Sequence, residues 1–245
     1  MSRHLEILRK ARADGELFTR GALVRSPAPV KRLTRRAPSR DHWQQLVHEL
    51  FLREAGSGKR ALGFASATPG EGTSYVTAHV AAELARTSER DTLLLELNLC
   101  RPSQAGRHGV EPDPGLRRLL VDREFPVEAC LRPTVVEHLW LLPAGSASNG
   151  LGAGPDWTHF PRLLERLRAR FGALVADLPP VNLSTDTLIV GGLLDGLVLV
   201  VEADLCSREV IGNAVERLRR ANPNVLGSVL NKRKFVIPEA IYRRL

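Results

Sequence analysis

Short, nearly unbroken apolar runs alternate with amphipathic stretches along most of this chain. The runs fall at 61–66, 92–97, 139–142, 173–177, 196–202 and 225–230. They are rich in Leu, Val and Ala and lack strict polar alternation, so both faces of each strand are expected to be buried. Helical patterns lie at 74–87, 157–170, 184–194 and 207–221. Strands alternating with helices predict an α/β domain, a parallel sheet with helices on both faces. Upstream, Asp41 is expected to cap a helix running to about residue 54, with Trp43, Leu46, Val47, Leu50 and Phe51 along one side. Residues 2–13 carry a weaker apolar stripe, and residues 20–40, rich in Arg, Pro and Ser, read as a mobile linker. The chain therefore divides into a basic extension, 1–40, and one α/β domain, 41–245. Gly56-Ser57-Gly58-Lys59 looks like part of a phosphate loop, but it precedes a strand and reads as a turn.

Charge adds one asymmetry. Of 35 Lys/Arg and 27 Asp/Glu in 245 residues, positions 1–40 hold 11 and 3, so the whole net charge of +8 sits in the extension. The remaining 24 of each sign cancel, and nothing in the domain points to a nucleic-acid surface. A solvated arm is the plain reading of the extension, with anionic headgroups or an acidic partner as the alternative. Three cysteines without C-x-x-C spacing argue against a disulfide framework or a zinc site and fit a reducing cytoplasm. The longest apolar stretch, 188–201, is broken by Asp195 and by Gly191, Gly192 and Gly196, so no spanning helix is expected.

The candidate chemistry lies just after the first strand, in Ala67-Thr68-Pro69-Gly70-Glu71-Gly72-Thr73-Ser74. A glycine-rich strand-to-helix turn aims successive backbone N–H groups and a helix N-terminus at one point, which suits a phosphate. In the working motif G-K-[ST], the lysine reaches the β/γ-phosphates and the hydroxyl holds Mg²⁺. Here Ser74 keeps the hydroxyl, and Thr73 stands at the lysine position. A second run, Ala173-Leu174-Val175-Ala176-Asp177-Leu178-Pro179-Pro180, ends a buried strand in a carboxylate at the carboxyl edge of the sheet, where such folds bind phosphates. Asp177 is the candidate partner of Ser74 for Mg²⁺.

The ordered set PGEGTS, LLLELNLCRP (93–102), PGLRRLL (114–120), LLPAG (141–145), ADLPPVNLSTD, LLDGLVLVV (193–201) and GSVLN (227–231) resembles the bacterial tyrosine kinases (BY-kinases) over roughly residues 41–240. These proteins are cytoplasmic partners of polysaccharide co-polymerases. The resemblance implies a parallel-sheet P-loop fold of the ParA/MinD type, ATP or ADP with Mg²⁺ as cofactors, and a role in capsule or exopolysaccharide synthesis or export. It places Pro69, Gly70, Glu71, Gly72, Thr73, Ser74, Tyr75, Arg101 and Asn231 around the nucleotide. Ser74 and Asp177 fall on the metal positions, and Asp177, Glu96 and Asn98 on the catalytic ones. Asn231 matches an adenine contact of related ATPases, although a cap or turn role explains it equally well.

The departures fall on function. The family's loop reads PGEGKS, and its D-x-D-x-R motif is here Glu96, Asn98 and Cys100, with Arg101 one place beyond the family's arginine. The E-x-x-R-x-x-R motif linked to ring formation falls on Asp41, Gln44 and Val47. The C-terminal tyrosine cluster is reduced to Tyr242 as acceptor. The expectation is a pseudokinase that binds nucleotide weakly or not at all. It would be recruited to the inner face of the membrane by a transmembrane co-polymerase, alone, as a homo-oligomer or with an active BY-kinase. An active tyrosine autokinase and a ParA/MinD-like positioning ATPase are the alternatives.

Overall fold

The computed structural model describes residues 40–52, 60–88, 90–146, 155–221 and 224–232. The expected helix at 2–13, the linker up to residue 39, the turn at 56–59 and Tyr242 lie outside them. The described chain opens with α1 (Arg40–Val47), which continues as a π-helical turn, His48–Leu52. Helix α1 starts at Arg40, so Asp41 sits inside the first turn, where it complements the helix dipole rather than capping it.

Strands β1 (Ala61–Ser66), β2 (Thr92–Glu96), β4 (Leu139–Leu142), β5 (Ala173–Asp177), β6 (Gly196–Glu202) and β7 (Val225–Asn231) lie within one residue of their expected bounds. They form a parallel sheet in the order β4-β2-β5-β1-β6-β7, and the two-residue β3 (Arg132–Pro133) pairs antiparallel outside β4. Helices α2 (Thr73–Thr87), α5 (Phe160–Arg170), α6 (Asp186–Gly191) and α7 (Arg208–Arg220) occupy the expected gaps. Helix α6 is shorter than its apolar pattern suggests. The Ser184 hydroxyl takes up the Asp186 N–H at 3.1 Å before the helix, and the Gly191-Gly192 pair ends it.

Alternate strand residues feed two cores. Leu62 and Phe64 of β1, Leu94 of β2 and Val175 of β5 pack under α1 and α2, against Trp43, Val47, Val76 and Leu84. Leu93, Leu95, Leu174 and Leu197 face the other way, onto Phe160, Leu164 and Leu167 of α5 and Leu218 of α7. Each such side chain contributes roughly 1.5–3 kcal/mol on burial.

Between β2 and β5 the structure adds elements absent from the sequence reading: α3 (Gln104–His108), α4 (Leu116–Val121) and a 3₁₀ turn, Val127–Cys130. All are six residues or fewer, too short to show a helical period. Here the PGL and LLPAG motifs acquire a physical meaning. The N–H groups of Leu116 and Arg117 donate to the carbonyls of Pro143 and Ala144 at 2.8 and 3.0 Å. The two backbones approach so closely that a Cβ on Gly115 would lie 2.5 Å from the Gly145 nitrogen.

Candidate functional site

Strand β1 delivers the chain into the glycine turn at the carboxyl edge of the sheet. Gly70 and Gly72 take left-handed φ values of 90° and 91°, open to glycine at little steric cost. At Gly72 a side chain is excluded a second time, because a Cβ would collide with the Asn231 amide. The Gly72 carbonyl accepts from the Val76 N–H at 3.0 Å and starts α2. The first turn of α2 leaves its N–H groups, including those of Thr73 and Ser74, without intrahelical acceptors, which is the arrangement expected of an anion cradle.

The turn is braced from within. Glu71 is fully buried; Oε1 accepts from the Thr68 N–H and hydroxyl at 2.6 and 3.0 Å, and Oε2 from the Glu202 N–H at 3.1 Å. Asn231 donates through Nδ2 to the Glu71 carbonyl at 2.8 Å and accepts from the Lys232 N–H at 2.9 Å. Lys232, at φ 57°, donates through Nζ to the Gly70 carbonyl at 2.7 Å and pairs with Glu202 at 2.6 Å. The structure thus gives Glu71 and Asn231 a bracing role. Lys232, which sequence reasoning missed, follows Asn231 directly in the chain. Pro69 lies in the turn itself, whereas the Tyr75 ring packs against His79 and Trp43, with centroids 4.1 and 6.1 Å away. Thr73 is buried, and its hydroxyl has no hydrogen-bond partner among the described residues.

Parallel pairing sets Glu96 of β2 beside Asp177 of β5 in register. Both are buried, yet they meet different groups. Glu96 Oε1 accepts from the N–H groups of Ser103 and Gln104 at 2.5 and 2.6 Å, and Oε2 from the Ala144 N–H at 2.9 Å. Its carboxylate therefore holds α3 and the LLPAG segment. Asn98 accepts through Oδ1 from the Arg101 N–H at 3.2 Å and so shapes a turn. Arg101 is exposed.

Asp177 Oδ2 accepts from Gln104 Nε2 at 2.7 Å, and Oδ1 has no partner among the described residues. Burial pushes this carboxyl up to about 6, against the opposing pull of the Gln104 amide, the Ser74 hydroxyl and the Arg107 charge. Gln104 Nε2 also donates to the Ser74 carbonyl at 3.0 Å. Gln104 is the second residue missed by sequence reasoning; a lone Gln in a five-residue helix carries no motif.

Ser74 and Asp177 lie where a P-loop hydroxyl and a strand-end aspartate would share Mg²⁺. The surrounding donor set offers the ion little beyond the Ser74 hydroxyl and Asp177 Oδ1. Mg²⁺ requires near-octahedral oxygen ligands, and one Asp177 oxygen faces an amide N–H instead. Asn98 is neutral, and both Glu96 oxygens face backbone N–H groups. The arrangement can cradle an anion on backbone N–H groups, but position 73 carries no lysine, the ammonium that does reach the loop, Lys232, is engaged by the Gly70 carbonyl and Glu202, and there is no free pair of carboxylates.

No family model matches the chain. The succinoglycan biosynthesis transport protein ExoP of Rhizobium meliloti (strain 1021) is 32% identical over 184 residues, 73% of this chain but only 23% of ExoP. The tyrosine-protein kinase CpsD of Streptococcus agalactiae is 26% identical over 182 residues, 74% of this chain and 79% of CpsD. Among solved structures, the BceF tyrosine kinase domain superposes with a TM-score of 0.68 at 26% identity, covering 78% of this chain and 76% of that domain. The Pyrococcus furiosus cell division ATPase MinD shares the fold at a TM-score of 0.61 and 23% identity, over 76% of this chain and 78% of MinD. In sequence the chain is thus similar to bacterial tyrosine-protein kinases, and it shares its fold with such kinase domains and with MinD.

Proposed function

We propose that the chain is a pseudokinase of exopolysaccharide or capsule synthesis, acting as a regulatory scaffold on a transmembrane co-polymerase at the inner face of the membrane. The observation that carries this reading is the engagement of Glu96. At a position where the family is expected to present an aspartate to metal and tyrosine, both carboxylate oxygens hold backbone N–H groups of Ser103, Gln104 and Ala144. Thr73 at the lysine position removes a positive charge from a site that must gather a triphosphate. Positioning and electrostatics supply nearly all of phosphoryl-transfer catalysis, so these losses fall on the steps that matter. Nucleotide binding is weak or absent in this reading.

The family's ring-forming motif supports the same view. Its last arginine position is Val47, which is 1% exposed beneath the core and leaves no room for a guanidinium at a subunit contact. The apolar side of α1 packs on the chain's own core, so docking to a co-polymerase or to an active kinase falls to other surfaces.

Expression in a host without other tyrosine kinases, followed by phosphotyrosine mass spectrometry, tests the proposal. No phosphotyrosine is expected, on Tyr242 or Tyr75. Stoichiometric phosphate on Tyr242 would establish the active autokinase instead.

A further inference from the structure

Gln104 does something that neither a packing role nor the family resemblance accounts for. Its side chain is fully buried, and one amide nitrogen bridges the Asp177 carboxylate (2.7 Å) and the Ser74 carbonyl (3.0 Å). Those two groups belong to the strand end and to the first turn of α2, the pair of elements that a divalent cation would join. The amide must point its nitrogen at Asp177, because the reverse orientation would set two partially negative oxygens against each other. That orientation leaves Gln104 Oε1 buried and without a partner among the described residues, a state that an unconstrained side chain would leave.

What imposes it is Glu96. Its Oε1 draws in the backbone N–H groups of Ser103 and Gln104 together, which fixes the residue at the base of the amide. Its Oε2 is anchored on the Ala144 N–H, so the carboxylate cannot swing toward Asp177 without releasing both segments. An aspartate at 96 would be one methylene shorter and would reach neither set as well.

We propose that Gln104 is a built-in amide substitute for the divalent cation: its Nε2–H groups hydrogen-bond Asp177 Oδ2 and the Ser74 carbonyl, tie the strand end to α2 and compete with a metal ion for Asp177, with Glu96 as the positioning residue that holds the amide there. An N–H group turned toward a carboxylate removes that oxygen from coordination and presents a positive hydrogen to any incoming cation. The inference deepens the scaffold reading above and borrows from it only the assignment of Ser74 and Asp177 as metal positions.

Mn²⁺ binding to the full chain, followed by loss of the free-ion paramagnetic resonance signal with and without ADP, tests it. Gln104→Ala is expected to bind Mn²⁺ at least about ten-fold more tightly than the wild-type chain, the scale on which neighbours of a metal ligand tune affinity. The gain should vanish in Gln104→Ala/Asp177→Asn. Gln104→Asn, which withdraws the nitrogen while keeping an amide, provides the same comparison should the alanine variant fail to fold. Glu96→Asp should move affinity in the same direction. Equal affinities in wild type and variants, measurable or not, would overturn the proposal, as would a gain that survives Asp177→Asn. These outcomes are independent of phosphotyrosine in the wild-type chain, which tests the pseudokinase reading.

Discussion

One methylene changes what the carboxylate at position 96 can reach. Glu96 extends past Asp177 to three backbone N–H groups and becomes a structural brace. At Thr73 the change is one of charge, and the loop keeps its glycine geometry without an ammonium at that position; Lys232 reaches the loop from outside and is tied to Gly70 and Glu202. Thr73→Lys is therefore expected to raise ATP affinity by a few-fold, readable by calorimetric titration. Low-micromolar binding by the wild-type chain, unchanged by that substitution, would contradict the pseudokinase reading. Asp177 yields a pH signature of its own. Its carboxyl is raised from 3.8 to about 6, so the folded state binds the proton more tightly than the unfolded one. Stability from the protonated form is full below pH 3.8 and is lost as pH rises through about 6. Asp177→Asn should remove this loss, a gain of about 3 kcal/mol at pH 8 relative to pH 4, at roughly 1.36 kcal/mol per pH unit. Denaturant titrations of both proteins across that range check it; parallel curves would show that Asp177 titrates normally.

At the scale of elements, the informative contacts join segments that the sequence reading left as unconnected motifs. PGL and LLPAG pack backbone to backbone, and Glu96 ties LLPAG to α3. Gly115→Ala should cost about 1–3 kcal/mol by overpacking, since its Cβ would meet the backbone of Pro143 and Gly145 rather than movable side chains. Chemical denaturation measures the loss, and an unchanged midpoint would mean that the junction yields. Asp195, which breaks an apolar stretch in the sequence, joins further elements in the fold. It accepts from the N–H groups of Arg60 and Ala61, both at 2.7 Å, and from Arg168 of α5, fastening the start of β1 to the helix layer. Burial raises its pKa, but Arg168 and the two amides outweigh that and hold it below the usual carboxylate range. The long strands and helices were legible because each spans enough residues to show its period. Helix α3 was not, and with it went Gln104.

For the whole molecule, the proposed scaffold role predicts a ranking of defects. Ser74→Ala removes a hydroxyl that a scaffold does not need, so polysaccharide output in a complementation assay should stay near wild type. Altering charge on the exposed side of α1, by reversing it in Asp41→Lys and adding it in Gln45→Glu, should reduce output more at matched protein level. The opposite ranking would make nucleotide chemistry the driver. No helix among the described residues is long and apolar enough to cross a membrane.

The sequence by itself determined the fold class, the six main strands and the placement of Ser74 and Asp177 at one sheet edge. Those features follow from local periodicity and from glycine and proline positions, which act over a few neighbouring residues. Only the tertiary structure decided where the polar atoms of Glu71, Glu96, Asn231 and Gln104 go. Their partners lie between 1 and 160 residues away along the chain, mostly on other elements, and a buried polar group takes whichever partner the packing brings to it. A side chain's reach, one methylene in the case of Glu96, is a distance in space that no spacing along the sequence encodes.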